Sequence, residues 1–145
     1  MQPLPHRYSA SATSTGTGNV TLSTQNCSPI VSAPPIEFDG PGDQWSPESL
    51  LMAAVADCFV LSFTAVAKAS HFEWSTLNCQ AEGVLDKVER AIQFTSVTVN
   101  ATLQVASGTD INKATKLLQK AELHCLVSNS LSAEIHLNTQ VLTQA

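Results

Sequence analysis

"LLMAAVADCFVLSF", Leu50 to Phe63, is the most apolar run in the chain, and it holds an acid and a thiol side by side, Asp57 and Cys58, near its middle. Apolar residues continue to Ala67 and cover nearly every face of a helix drawn through them, so the run reads as a helix surrounded by protein. Its start is marked by Ser46, a good N-cap, and by Pro47, which the first helical position tolerates. The helix is expected to end near Ser70. Its length approaches a bilayer span, but an acid at mid-helix costs about 2.5 to 3.5 kcal/mol on insertion. A buried core helix fits better than a membrane span. Free cysteines are among the most buried residue types, so from its setting alone Cys58 reads equally as core or as a reactive thiol.

Either side of this helix the pattern changes. Residues 8–23, "YSASATSTGTGNVTLS", are rich in Ser and Thr with Gly16 and Gly18 between them, and read as a polar hairpin. Residues 26–45 carry four prolines and read as a loop with one short edge strand. After the helix, Leu77, Cys79 and Ala81 alternate on one face. Val97, Val99, Ala101, Leu103 and Val105 do the same on a following strand, with "DKVER", Asp86 to Arg90, as the expected turn. Asp110 is placed to cap a second helix whose apolar positions, Ile111, Ala114, Leu117, Leu118 and Ala121, follow helical spacing. A last strand shows Ile135, Leu137, Thr139 and Val141 on one side. These elements together indicate an α+β fold, with helices packed on antiparallel sheet.

The chain has 145 residues, enough for one domain spanning 1–145 that buries most of a single core. Its net charge of −5 and the scatter of its seven Lys and Arg leave no basic stripe for nucleic acid. "MQPLPHRYSA" lacks the apolar segment of a secretory signal, so a cytoplasmic location is expected. The four cysteines, Cys27, Cys58, Cys79 and Cys125, are too widely spaced for a secreted disulfide scaffold, and any disulfide among them is expected to be redox-active. His124 beside Cys125, and His71 near Cys79, do not make a C-x-x-C-like ligand pair. No metal and no cofactor are expected.

"SPESLLMAAVADCFVLSF" and the later "AELHCLVSNSL" resemble the OsmC / organic hydroperoxide resistance family. Its helix start reads N-P/S-P-E-x-L, its helix carries A-x-x-A-C-F, and its second cysteine lies in a C-P-V-S motif. "LDKVERAIQFTSVTV" resembles the family's middle hairpin. The resemblance implies antiparallel sheets packed on a long buried central helix, an intertwined homodimer, and a thiol peroxidase that reduces organic hydroperoxides. Cys58 matches the peroxidatic cysteine, Cys125 the resolving one, and Glu48 an acid that orients a catalytic arginine. An external dithiol, of lipoyl type in close relatives, would regenerate the enzyme. Met52, Leu51, Phe59 and Phe63 are expected to supply an apolar wall for a bulky hydroperoxide. Cys79 is expected in the core, Cys27 is a bystander, and Asp57 is expected to cap or to pair at the dimer interface.

Two departures stand out. The motif's proline is replaced by Leu126, and the family's catalytic arginine falls near Thr17 or Gly18, where this chain has none. Its arginines are Arg7 and Arg90. Glu48 cannot substitute directly, because ten residues of helix place it about 15 Å from Cys58 along the axis. A buried thiol without a cation is expected to have a raised pKa. The competing reading is therefore a non-catalytic dimer that binds a small molecule or senses redox state.

Overall fold

The protein is described by a computed structural model over residues 1–16 and 18–144. By their internal contacts the residues form two units, Met1–Leu50 and Leu51–Ala145.

In the first unit, strands β1 (Ser11–Thr13), β2 (Val20–Ser23) and β3 (Ile30–Ser32) form an antiparallel sheet in that order. The Ser/Thr-rich hairpin is thus present, with Gly16 and Gly18 both at positive φ beside the turn. Thr17, one of the two positions weighed for the missing arginine, lies outside the described residues. The proline-rich stretch supplies β3 and a single 3-10 turn, Ile36–Phe38. Gly40 follows it, at a point where a Cβ would fall 1.6 Å from the Pro34 carbonyl oxygen, so only glycine fits. The Ala33 N–H donates to the Trp45 carbonyl at 2.8 Å and ties the two ends of this loop together.

Helix α1 (Pro47–Ala69) begins as its sequence dictates. The Ser49 N–H donates to Ser46 Oγ at 3.1 Å, and the Ser46 N–H donates to Ser49 Oγ at 2.9 Å. This is a reciprocal cap in which two otherwise orphaned backbone donors are satisfied.

The second unit continues from Leu51 through α1 into β4 (Thr76–Val88), β5 (Ala91–Ala106), α2 (Ile111–Leu123), α3 (Leu126–Asn129) and β6 (Glu134–Gln144). β4 and β5 form the expected antiparallel hairpin, and the chain reverses at Glu89–Arg90, the end of the "DKVER" segment. Asp110 caps α2 by accepting from the Lys113 N–H at 3.1 Å. One detail of the expected architecture is corrected. β6 pairs with β5 in parallel, Ser96 opposite Glu134 through Ala106 opposite Gln144. Strand alternation reads the same in either direction; α2 carries the chain back along the sheet before β6 begins, and that crossover sets the direction.

The core of this unit joins three layers of residues. Val55, Phe59, Phe63, Val66 and Ala67 of α1 meet Val97, Val99, Ala101, Leu103 and Val105 of β5, and Ala114, Leu117, Leu118 and Ala121 of α2. Phe63 also meets Trp74 edge to face, with ring centroids 5.4 Å apart. A Cβ on Gly83 would come within 2.8 Å of Met52 Sδ and 2.7 Å of the Phe94 ring, so this strand position must stay small for α1 to pack. The expectation that α1 is buried on all sides is not met within one chain. Its buried residues form one stripe, at i, i+4, i+8, i+11 and i+12, while Leu61 is 61% exposed. The reason is that this chain offers α1 a single packing surface. α1 is, among the described residues, the one helix long and apolar enough to cross a membrane, but its central Val55, Phe59 and Phe63 are committed to protein.

Phe59→Ala should lower unfolding free energy by about 3–5 kcal/mol, because a fully buried ring leaves a cavity that strand and helix cannot fill. Asp110→Ala should cost only about 1 kcal/mol, the usual worth of an N-cap. Urea denaturation followed by circular dichroism checks both.

Candidate active site

Cys58 sits in α1 beside Phe59, at the edge of the buried stripe, and is half-buried. Cys125 is the residue between α2 and α3. The last turn of α2 closes on His124, whose N–H reaches the Lys120 and Ala121 carbonyls. Cys125 then takes an extended conformation, φ −70° and ψ 105°, and becomes the N-cap of α3. Its side chain is completely buried in the core that contains Val55 and Phe59.

This arrangement brings the two predicted redox residues together. Cys58 and Cys125 are free thiols close enough to act on each other's ionisation. Helix α3 explains why. N–H groups in the first turn of a helix have no acceptor within the helix. The main chain of Leu126 and Val127 lies close enough to Cys58 to lower its pKa, and that of Ser128 acts on Cys125 in the same direction. Ser128 Oγ donates to Cys125 Sγ as well, at 3.2 Å. Ser62, one turn along α1 from Cys58, supplies a side-chain hydrogen bond to it.

The expected raised pKa of Cys58 is overturned. Burial does push the thiol up, but the Val127 N–H, the Cys125 side chain, the Leu126 N–H and Ser62 together hold it below its ordinary value. Hydrogen bonds to the charged form lower an acid's pKa just as a cation does. Among the described residues, none of the groups acting on Cys58 is a cation. Cys125 is shifted the other way, by its burial first and by its proximity to Cys58, against the opposing hydrogen bonds from Ser128. Of the two, Cys58 is thus the more readily ionised thiol.

The other site expectations divide. Cys79 packs against the core from β4, and burial, together with the charge of Cys125, pushes it up to about 11. Cys27 is exposed and belongs to the first unit. Glu48 lies in the first turn of α1, and one of its carboxylate oxygens, Oε2, is buried without a hydrogen-bond partner among the described residues. Asp57 is exposed and lines an open groove of about 700 Å³ together with Val60, Cys79 and Gln104. The expected apolar wall is corrected in part: Phe59 and Phe63 are fully buried in the core, whereas Leu51 and Met52 are half-buried. Sequence reasoning missed α3 and Ser62. The i, i+4 spacing of Cys58 and Ser62 was a readable sign that the hydroxyl shares the thiol's face.

A model of the OsmC-like protein family matches residues 40–140. The chain belongs to the OsmC-like family. Protein YmaD of Bacillus subtilis is 27% identical over 109 residues, 73% of each chain. Peroxiredoxin OsmC of Escherichia coli is 31% identical over 96 residues, 66% of each chain. An OsmC-like protein from Vibrio cholerae has the same fold, with a TM-score of 0.84 over 93% of this chain and 99% of its own, at 18% identity.

With Cys27 replaced by serine, alkylation near neutral pH should modify Cys58 first and leave Cys79 intact. The Cys58 rate should show a half-point below the ordinary thiol value of about 8.5. Peptide mass spectrometry after timed iodoacetamide treatment reads this directly; faster modification of Cys79 than of Cys58 would contradict the assigned order.

Proposed function

We propose that this OsmC-like protein is a cysteine-based peroxidase that reduces organic hydroperoxides in defence against oxidative stress. The observation that carries the proposal is the closeness of Cys58 and Cys125, two free thiols whose pKa values are shifted in opposite directions, Cys58 down and Cys125 up. The 31% identity to a peroxiredoxin supports it. The Cys58 thiolate attacks one oxygen of the peroxide bond; that bond breaks, and the departing alkoxide takes a proton to leave as an alcohol. Cys58 is then a sulfenic acid. The Cys125 sulfur attacks the Cys58 sulfur, water leaves, and a disulfide forms. An external dithiol, oxidised in turn to its own disulfide, returns both thiols. Low nucleophile pKa and a protonated neighbour suit the first step, because a thiolate is needed to attack and a proton is needed by the leaving oxygen.

The functional form is a homodimer. Residues 84–93 are all exposed and include Val84, Leu85, Val88 and Ile92, and α1 exposes Leu61 outside its buried stripe. A free chain would keep these apolar residues in water, which a second copy removes. Light scattering should return twice the chain mass at micromolar concentration; the mass of one chain would refute this.

One equivalent of cumene hydroperoxide should convert the protein to a Cys58–Cys125 disulfide, identified by non-reducing peptide mapping. Cys125→Ser should stop at the sulfenic acid or continue to sulfinic acid. Turnover with a lipoyl dithiol should be lost, by a hundredfold or more, in Cys58→Ser, which has no nucleophile. Disulfide formation without turnover by any dithiol would favour the redox-sensing reading instead.

A further inference from the structure

Ser128 is one of only three polar residues buried among the described residues, with 4% of its surface exposed. A hydroxyl taken out of water needs a hydrogen-bond partner, and here the partner is a sulfur: Ser128 Oγ donates to Cys125 Sγ at 3.2 Å. The sulfur of a neutral thiol is a weak acceptor, so the contact does little to offset the burial of the hydroxyl. The same hydrogen bond becomes strong once the sulfur carries charge. Cys125 is itself fully enclosed, so bulk water does not reach its sulfur to solvate such a charge. Its Sγ stands 4.0 Å from the carbonyl oxygen of Val55, three residues before Cys58, and so lies against the stretch of α1 that carries the other thiol.

We propose that the Ser128 hydroxyl is the donor that allows Cys125 to act as a thiolate inside the core: it holds the sulfur toward α1 and stabilises the charge on it in the step that closes the disulfide. The inference rests on the peroxidase reading for the oxidant, but not for the attack of one sulfur on the other. In that step the Cys125 thiolate attacks the Cys58 sulfur of the sulfenic acid and the Cys58 S–O bond breaks. The departing hydroxide takes up the proton that Cys125 has lost and leaves as water. Ser128 keeps its own proton throughout. When an external dithiol attacks the Cys58 sulfur and the S–S bond breaks, Cys125 departs as a thiolate, and the same hydroxyl meets that charge. A donor fixed before charge develops stabilises it without reorganisation. Ser128 is fixed: its carbonyl accepts from the Leu131 N–H at 3.2 Å, and the Asn129 N–H beside it donates to the Cys125 carbonyl at 3.0 Å. Its hydrogen bond also opposes the upward push that burial gives the Cys125 thiol.

The test uses the full chain carrying Cys27→Ser. Dithiobis(nitrobenzoate) loads Cys58 with thionitrobenzoate, peptide mapping confirms the position, and attack by Cys125 then releases the thionitrobenzoate, which absorbance follows. In Ser128→Ala this release should be about tenfold slower at neutral pH, the scale of one hydrogen bond to a charged atom. The deficit should shrink as pH rises, because Cys125 then loses its proton without the donor's help. A side chain that merely packed would slow the release equally at every pH. Ser128→Thr, which returns the hydroxyl, should restore most of the rate. Equal release in S128A and its parent at neutral pH, a deficit that is the same at every pH, or a parent that keeps its thionitrobenzoate would each overturn the proposal. Should S128A not fold, the parent answers by NMR: the Ser128 β-carbon resonance should move as Cys125 titrates, and one that stays still overturns the proposal equally. Oxidation by cumene hydroperoxide is measured separately. Its absence alongside a release that depends on Ser128 would remove the peroxidase reading and leave the role of the hydroxyl standing.

Discussion

A sulfur taken out of water can hold negative charge only where donors are fixed against it, and that constraint shapes the second unit of this protein. Cys58 is half-buried beside a phenylalanine that is wholly buried, a setting that by itself favours the neutral thiol. The offset comes from one short helical turn. Three consecutive backbone N–H groups, of Leu126, Val127 and Ser128, serve the two sulfurs, and Ser62 and Ser128 add hydroxyls. Desolvation and hydrogen bonding thus act in opposition on both thiols, and the balance differs between them. Cys125, buried more deeply and next to its partner thiol, is shifted up rather than down.

The packing that sets up this balance is ordinary core packing. Val55, Phe59 and Phe63 fasten α1 to the sheet, and Leu117, Leu118 and Ala121 fasten α2 to the same core. Cys58 and Cys125 meet because each adjoins one of these anchored faces. The break between α2 and α3 matters as much as the helices. Had α2 continued through residue 125, the N–H groups of residues 126 to 128 would be spent on intrahelical bonds. The extended conformation of Cys125 restarts the helix and frees them. The same local feature that terminates α2 creates the donor array.

Cys79 shows what the pair would look like without that array. It packs against the same core, and burial, its main influence, pushes its pKa up to about 11. Two thiols in neighbouring surroundings are therefore driven in opposite directions, one by donors and one by their lack. Glu48 is a different case. Its buried Oε2 has no hydrogen-bond partner among the described residues, a costly state for a carboxylate.

Local signals in the amino-acid sequence determined a good deal. Ser46 and Pro47 start α1, Asp110 caps α2, and the alternation from Val97 to Val105 makes β5, since caps and periodicity act over a few residues and need no distant partner. The motifs around Cys58 and Cys125 were sufficient to identify the OsmC-like family. Other features depended on residues far apart in the chain. β6 runs parallel to β5 because of the crossover through α2, which an alternating pattern does not encode. The stripe of α1 that is buried depends on which surface the chain folds against it, so a run apolar on nearly every face could not name it. The direction of the Cys58 pKa was read wrongly from side chains alone, because the deciding groups are main-chain donors, which every non-proline residue carries and which gain meaning only when folding brings residues 126 and 127 against residue 58.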